Sequence, residues 1–479
     1  MIDNNGGMAL VAISSYDISS ANTELARRAG YVDAQWALPA INALELRRLQ
    51  RRSNLHATLS TSLWLGLTVI AGFAVVATAW SWWSIPSVAV YAALYGGASD
   101  SRWHEMGHGT AFRSRRANDV IYYLACFMLL RGPTIWRWSH YRHHTDTIIK
   151  GHDAEIAFQR PPSVARTLWR FTHLQGGSEL LLRLVRHAGG RLDDEAKELV
   201  PAHERRRVVL ESRIMIGVLL IAVIATVVLR SAIPVVLIGG STFLGGWLVV
   251  FFGITQHAGL QENVFDHRLN TRTVMMNPVF RFLYLNMNFH VEHHMFPSVP
   301  YYSLPSLHGE ISSQLAPALP STWAAYRQII GAFRRQQVDP NYEIPLELPK
   351  IEGDARPVEI GAESWMRGPS GEVIVGLETS FGLGELRKVD IGRHSVVVGR
   401  TESGSLFACE GWCTHAKVHL GEGAVIGEEI ECPKHNARFD CRTGEATRKP
   451  AKDGLTTYPV TVSKGRVSVH LVGIDSVGS

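Results

Sequence analysis

The strongest constraint on this chain is a set of long apolar runs without a charged side chain. Residues 58–80 form the first, and a helix of about 20 such residues crosses a bilayer. A short loop at residues 81–84 leads into a second run at 85–98. Two more runs, at 214–229 and 233–254, are separated only by Arg230, Ser231 and Ala232. Four runs in two tight hairpins predict a mainly α-helical bundle with about four transmembrane spans. The run at 120–130 is too short to span and predicts an interfacial or buried helix.

Basic residues set the expected orientation. Arg47, Arg48, Arg51 and Arg52 precede the first run, and Arg113, Arg115 and Arg116 follow the second. Arg205, Arg206 and Arg207 precede the third, and Arg268, Arg272 and Arg281 follow the fourth. The hairpin tips hold one Arg between them. Both termini and both long connections are therefore expected in the cytoplasm, with the chain integral to the inner or plasma membrane. Asp3, Asp17 and Glu24 near the start argue against a cleavable signal peptide. A net charge of +5 is too mild to argue for nucleic acid, and five Cys in 479 residues exclude a disulfide-built scaffold.

Composition changes after residue 335. Residues 336–363 read as a linker, with Pro340, Pro345, Pro349 and Pro357 among charges. Beyond it, short β-like runs (373–375, 395–398, 460–462 and 467–472) alternate with Gly-containing turns, predicting a small all-β domain. The expected division is 1–52 as an N-terminal cytoplasmic segment, 53–335 as the membrane domain, 336–363 as the linker and 364–479 as the β domain.

Histidine carries the functional signal. Of 21 in the chain, eight fall in three clusters: His104 and His108; His140, His143 and His144; His290, His293 and His294. Residues three and four apart share a helix face, so each cluster aims its imidazoles one way. All three lie on the expected cytoplasmic side, forming a His-rich cap. Eight imidazoles exceed one ion's coordination sphere, so two ions are the natural count, and imidazole suits iron, zinc, copper or nickel. His257, at the end of the fourth run, is a candidate ninth ligand. Asp153 and Glu155 are candidates to orient ligand rings. His152 is not needed as a ligand. Trp136 and Trp138 suit interfacial packing better than a substrate channel. The first cluster also reads H-E-x-x-H, the zinc-protease signature, but a metalloprotease would leave six clustered His unexplained.

The set H-x3-H, H-x2-H-H, H-x2-H-H on two hairpins resembles the integral-membrane fatty-acid desaturase and alkane-hydroxylase superfamily, over residues 53–307. The resemblance implies two non-haem irons held by His104, His108, His140, His143, His144, His290, His293 and His294, with His257 as the extra ligand. It further implies O2 activation and attack on unactivated C–H bonds of a lipid or alkyl substrate. Many acyl desaturases have four residues between the His of the first box where this chain has three.

In the β domain, Cys413-Thr414-His415 is followed by Cys432-Pro433-Lys434-His435. Two Cys and two His suit one tetrahedral zinc, or a Rieske [2Fe–2S] cluster with two Cys on one iron and two His on the other. Lys434 to Asp440, Arg442 to Glu445 and Pro450-Ala451 resemble the second cluster loop and following hairpin of Rieske ferredoxins. Val418 and Lys434 occupy the positions where some Rieske proteins place a clamping disulfide. Its absence matches ferredoxin-type members and implies a potential toward the low end of the Rieske range, about −150 mV. Cys409, Cys441 and Cys126 read as buried thiols.

Together these features predict a membrane oxygenase or desaturase fed with electrons by its own fused Rieske domain. No G-x-G-x-x-G marks a nucleotide domain, so NAD(P)H enters through a separate flavin reductase. The substrate alternatives are a lipid or alkyl chain and a small methylated compound undergoing O- or N-demethylation. A non-enzymatic electron-transfer anchor is the remaining class, and it predicts no iron beyond the cluster.

Overall fold

The computed structural model describes residues 15–32, 36–349, 366–367, 372–391, 394–415, 418–434 and 436–471. His435, part of the linker and the end of the expected 467–472 strand lie outside the described residues. The chain divides into two compact units. The first comprises Met1–Ala37, Arg52–Met295 and Val299–Pro349, and the second comprises Leu38–Arg51, Phe296–Ser298 and Lys350–Ser479.

The first unit is helical. Among the described residues three helices, Asn54–Ala77, Ala202–Leu229 and Ile233–His257, are long and apolar enough to cross a membrane. Their outward faces keep leucine, isoleucine, valine and phenylalanine bare, including Ile70, Phe73, Ile221 and Val228. The run at 85–98 also becomes helical, as Ser84–Ala92 and the π-turn Ala93–Gly97, and continues as Ser99–His108. Its apolar part is short for a bilayer core about 30 Å thick at 1.5 Å per residue.

This helix and the last span approach each other at glycines. A Cβ on Gly245 would lie 1.9 Å from the Ala92 carbonyl oxygen, and one on Gly96 would lie 2.4 Å from that of Ser241. Such close backbone approach is how membrane helices pack without a hydrophobic driving force between them. The first carries a π-turn, Ala93–Gly97, and the second is kinked at Ile238 and Gly239, whose backbone leaves the helical region. The Trp64 indole donates to the Leu94 carbonyl at 2.9 Å and the Tyr91 hydroxyl to the Leu237 carbonyl at 2.8 Å. These bonds satisfy carbonyls that lipid could not. The short run at 120–130 lies in Arg115–Met128, whose inner face buries Tyr122, Ala125, Cys126 and Met128.

Among the described residues, the second unit's β portion forms three four-stranded antiparallel sheets. One orders Met366–Arg367, Val373–Leu377, Arg466–Val469 and Val460–Ser463. Another orders Thr457–Tyr458, Leu406–Glu410, His394–Arg400 and Leu386–Ile391. The third, Ala424–Ile426, Glu429–Glu431, Arg438–Asp440 and Ala446–Arg448, frames the second Cys-x-x-His segment. The four expected strands fall at Val373–Leu377, His394–Arg400, Val460–Ser463 and Arg466–Val469. Val396, Val398, Phe381 and Val467 form one core cluster, and Ile430, Phe439, Cys413 and Cys432 belong to another.

Candidate metal centres

Each histidine box sits on its own helix. Ser99–His108 carries the first, Pro133–Thr145 the second and His290–Met295 the third. His257 ends the helix Trp247–His257. The first-box helix stops at Gly109, whose φ of 65° suits a residue without a Cβ. The second-box helix starts at Pro133, which needs no N–H there.

These helices bring the rings into two groups. His104, His108, His140 and His293 can each offer one nitrogen within 4.8 Å of the others, and so can His143, His257, His290 and His294. His144 lies between the groups. Its Nε2 is 3.1 Å from His293 Nε2, and its ring stacks on His294 at 4.3 Å. Nε2 atoms also meet between His108 and His140 at 2.9 Å and between His290 and His294 at 3.2 Å.

Surrounding acceptors decide which nitrogen holds each proton. His143 Nδ1–H donates to Asp153 at 2.8 Å, and His140 Nδ1–H donates to Glu155 at 3.3 Å. His257 Nδ1–H donates to the Asn270 carbonyl at 2.8 Å. Thr147 spends its hydroxyl proton on the His143 carbonyl, so at 3.2 Å it accepts from His294 Nδ1–H. Four rings are thereby held with the Nε2 lone pair turned inward, the form that binds metal. Burial, then the neighbouring imidazoles, holds His104, His140, His144, His290 and His294 well below the usual histidine pKa. Burial lowers His293 to about 3. His143 goes the other way: burial opposes its charge, but Asp153 outweighs burial and raises it. Converging ring nitrogens, most of them held neutral by burial, fit a pair of cations.

Sequence reasoning named Asp153 and Glu155 but missed the other supports. Glu292, inside the third box, is fully buried; it accepts from Thr273 Oγ1 at 2.5 Å and pairs with His308 Nδ1. A carboxylate within H-x-E-H-H was the available signal. Glu105 accepts from Thr110 Oγ1 at 2.6 Å and from the Tyr301 amide at 3.3 Å. Burial pushes its carboxyl up to about 7. Glu105 therefore braces a helix, whereas the protease reading needs it as a base at the metal. Trp103 lies edge-on to His140 at 5.2 Å and to His104 at 5.7 Å. Asp100 accepts from the Trp103 indole at 2.9 Å and pairs with Arg131 at 2.6 Å. The Arg131 guanidinium covers both Trp103 and Trp136. Trp136 thus packs between the first two box helices. His152 turns away to Asp146 at 3.0 Å.

In the second unit Cys413 and Cys432 are buried in one cluster. The Cys413 amide donates to the Val418 carbonyl at 3.0 Å, and the Cys432 amide donates to the Ala437 carbonyl at 2.7 Å. Both loops therefore turn back directly after their cysteines. His415 is half-buried on the first loop. Beside Cys432, buried Glu431 accepts from Arg438 Nε at 2.6 Å and from Asn436 Nδ2 at 3.1 Å. Cys126, Cys409 and Cys441 are free and buried.

A helical domain with three converging histidine boxes, joined to a β domain with two cysteine loops, defines a His-box membrane oxidoreductase carrying its own iron–sulfur module. The fatty acid desaturase family model matches residues 80–326, more than half the chain, and the Rieske [2Fe-2S] domain model matches residues 371–459. The chain belongs to the fatty acid desaturase family and bears a Rieske [2Fe–2S] domain fused at its C-terminal side.

The chain is 40% identical over 68 residues to the ferredoxin component of a naphthalene 1,2-dioxygenase system of Pseudomonas putida, a match over 14% of this chain and 65% of that one. It thus spans about two thirds of that relative's length. A Ralstonia ferredoxin component of naphthalene 1,2-dioxygenase/salicylate 5-hydroxylase systems is 33% identical over 88 residues, 18% of this chain and 84% of that one. Among solved structures, the ferredoxin of Sphingomonas yanoikuyae B1 is 31% identical and covers 21% of this chain and 98% of its own, with a TM-score of 0.20.

Proposed function

We propose that this protein is a membrane-bound oxygenase or desaturase that attacks an unactivated C–H bond of a lipid or alkyl substrate with electrons from its own Rieske domain. The observation that carries this reading is the convergence of eight histidines into two groups of four, with His144 in contact with both. His104, His108, His140 and His293 would hold one iron, and His143, His257, His290 and His294 the other, with His144 at their junction. Cys413, His415, Cys432 and His435 would hold the [2Fe–2S] cluster. When bound, the two irons supply O2 activation and hydrogen abstraction, and the cluster supplies electrons one at a time.

The protein's own part is to hold donors and orient rings. Asp153, Glu155, Asn270 and Thr147 fix Nδ1 protons so that Nε2 faces inward. Glu105 and Glu292 lock the first and third box helices. Burial keeps the cap dry, which strengthens every charge interaction inside it. Tethering the Rieske domain raises the donor's local concentration to roughly millimolar. The matched relatives are ferredoxin components of dioxygenase systems, which supports feeding of this domain by a separate NAD(P)H-dependent flavin reductase. By the arginine pattern, both metal centres and both termini face the cytoplasm.

The test is His435→Ala. This variant should keep the histidine-bound iron yet lose O2 consumption driven by NAD(P)H and reductase. Turnover that survives the substitution would contradict the relay.

A further inference from the structure

After the second box, helices Val164–Phe171 and Leu174–Ala188 follow in the connection toward the third apolar run. His173 turns the chain between them at φ 54°. Its ring fills a notch at Gly246, where a Cβ would lie 2.1 Å away, and Phe243 fills another at Gly177. The second of these helices buries Leu184 with Leu130 and Met215. The first is steered by Arg170, whose guanidinium donates to the Ala157 carbonyl and lies 5.4 Å from the Phe158 ring. The helix pair is therefore fixed, and its outward faces are fixed with it.

Those faces are apolar and bare. Val164, Leu168, Trp169, Leu174, Leu182 and Val185 are exposed, with Leu168 at 66%. The same stretch, 164–191, holds five Arg and one Glu. Arg183 is engaged with Asp193 and Glu195, while Arg166, Arg186 and Arg191 stand exposed. An apolar face flanked by guanidiniums suits the boundary between acyl chains and anionic headgroups. The second helix packs against the Ala202–Leu229 span, which itself carries exposed Leu210, Ile214 and Leu220.

We propose that this helix pair is an interfacial platform. Leu168, Trp169, Leu174 and Val185 insert at the bilayer surface, while Arg166, Arg186 and Arg191 bind phosphate groups of anionic phospholipids. Planar guanidiniums match phosphate oxygens in pairs. The platform would hold the cap at a fixed depth beside the spans.

The test uses the full chain in vesicles of phosphatidylcholine with and without phosphatidylglycerol. All five native cysteines are buried, so a spin label can be placed selectively on Leu168→Cys and, separately, on Val185→Cys. Both labels should collide more with oxygen than with a water-soluble nickel chelate. Phosphatidylglycerol should shift them further toward oxygen, and Arg166→Glu with Arg186→Glu should abolish that shift. Labels open to nickel in both lipids would overturn the proposal. So would labels shielded from both reagents, which would mean that a second copy or another protein covers the face. Equal depth in the two lipids would overturn the assignment of the arginines to anionic headgroups.

Discussion

Asp153 accepts the Nδ1 proton of His143 and also takes the amides of Ile148 and Glu155. Its own carboxyl is held low: burial opposes the charge, but His143 and the two amides outweigh it. Asp153→Asn keeps the shape and loses the charge. Supports of this kind are worth about 10–100-fold in metal affinity, so iron titrations of Asp153→Asn should show weaker binding of that order, with helix content unchanged. His419 makes a different prediction in the Rieske unit. Its Nδ1 accepts the Gly421 amide at 3.1 Å and its Nε2–H donates to Ser395 at 3.0 Å, leaving no room for a second proton. Burial, then nearby Lys388, lowers it to about 4, against about 6.5 in an unfolded chain. Between those values the unfolded state binds a proton that the folded state does not. Stability of the unit should therefore rise as pH is raised across that window, by at most about 1.4 kcal/mol per pH unit, and be flat above it. Denaturant titrations followed by the cluster's visible circular dichroism check this, and His419→Gln should remove the slope.

At the scale of elements, the metal cap depends on helices that stand in a fixed register. Gly245 touches the Ala92 carbonyl so closely that any side chain must push the two helices apart. Gly245→Ala should cost about 1–3 kcal/mol through overpacking and lower the temperature at which detergent-purified protein loses iron, while Gly217→Ala, where a Cβ meets nothing within 4 Å, should do neither. Hydrophobic runs and the three- and four-residue spacing of histidines were legible in the sequence because helix periodicity writes them locally. The Gly245 contact, the Trp103–Arg131–Trp136 stack and the Glu292–His308 pair were not, because each joins groups whose approach depends on tertiary packing. The run at 85–98 read as a span by composition, yet its apolar part ends early, and Asp100 and Arg102 follow within the continuing helix. Arg102 is nonetheless buried, donating to the carbonyls of Ala98 and Phe282.

For the whole molecule, the two units divide the chemistry. One gathers imidazole nitrogens in a buried cap, and the other buries Cys413 and Cys432 in one cluster of a β domain. The central claim is that both are iron centres in one chain. Iron quantitation of detergent-purified protein, with Mössbauer and EPR spectra before and after reduction, tests it most directly. The account predicts about four irons per chain, about two in a Rieske cluster with mixed Cys and His ligation and about two in a nitrogen-rich non-haem site. A preparation holding only the cluster's iron, or zinc at the histidines, would contradict it.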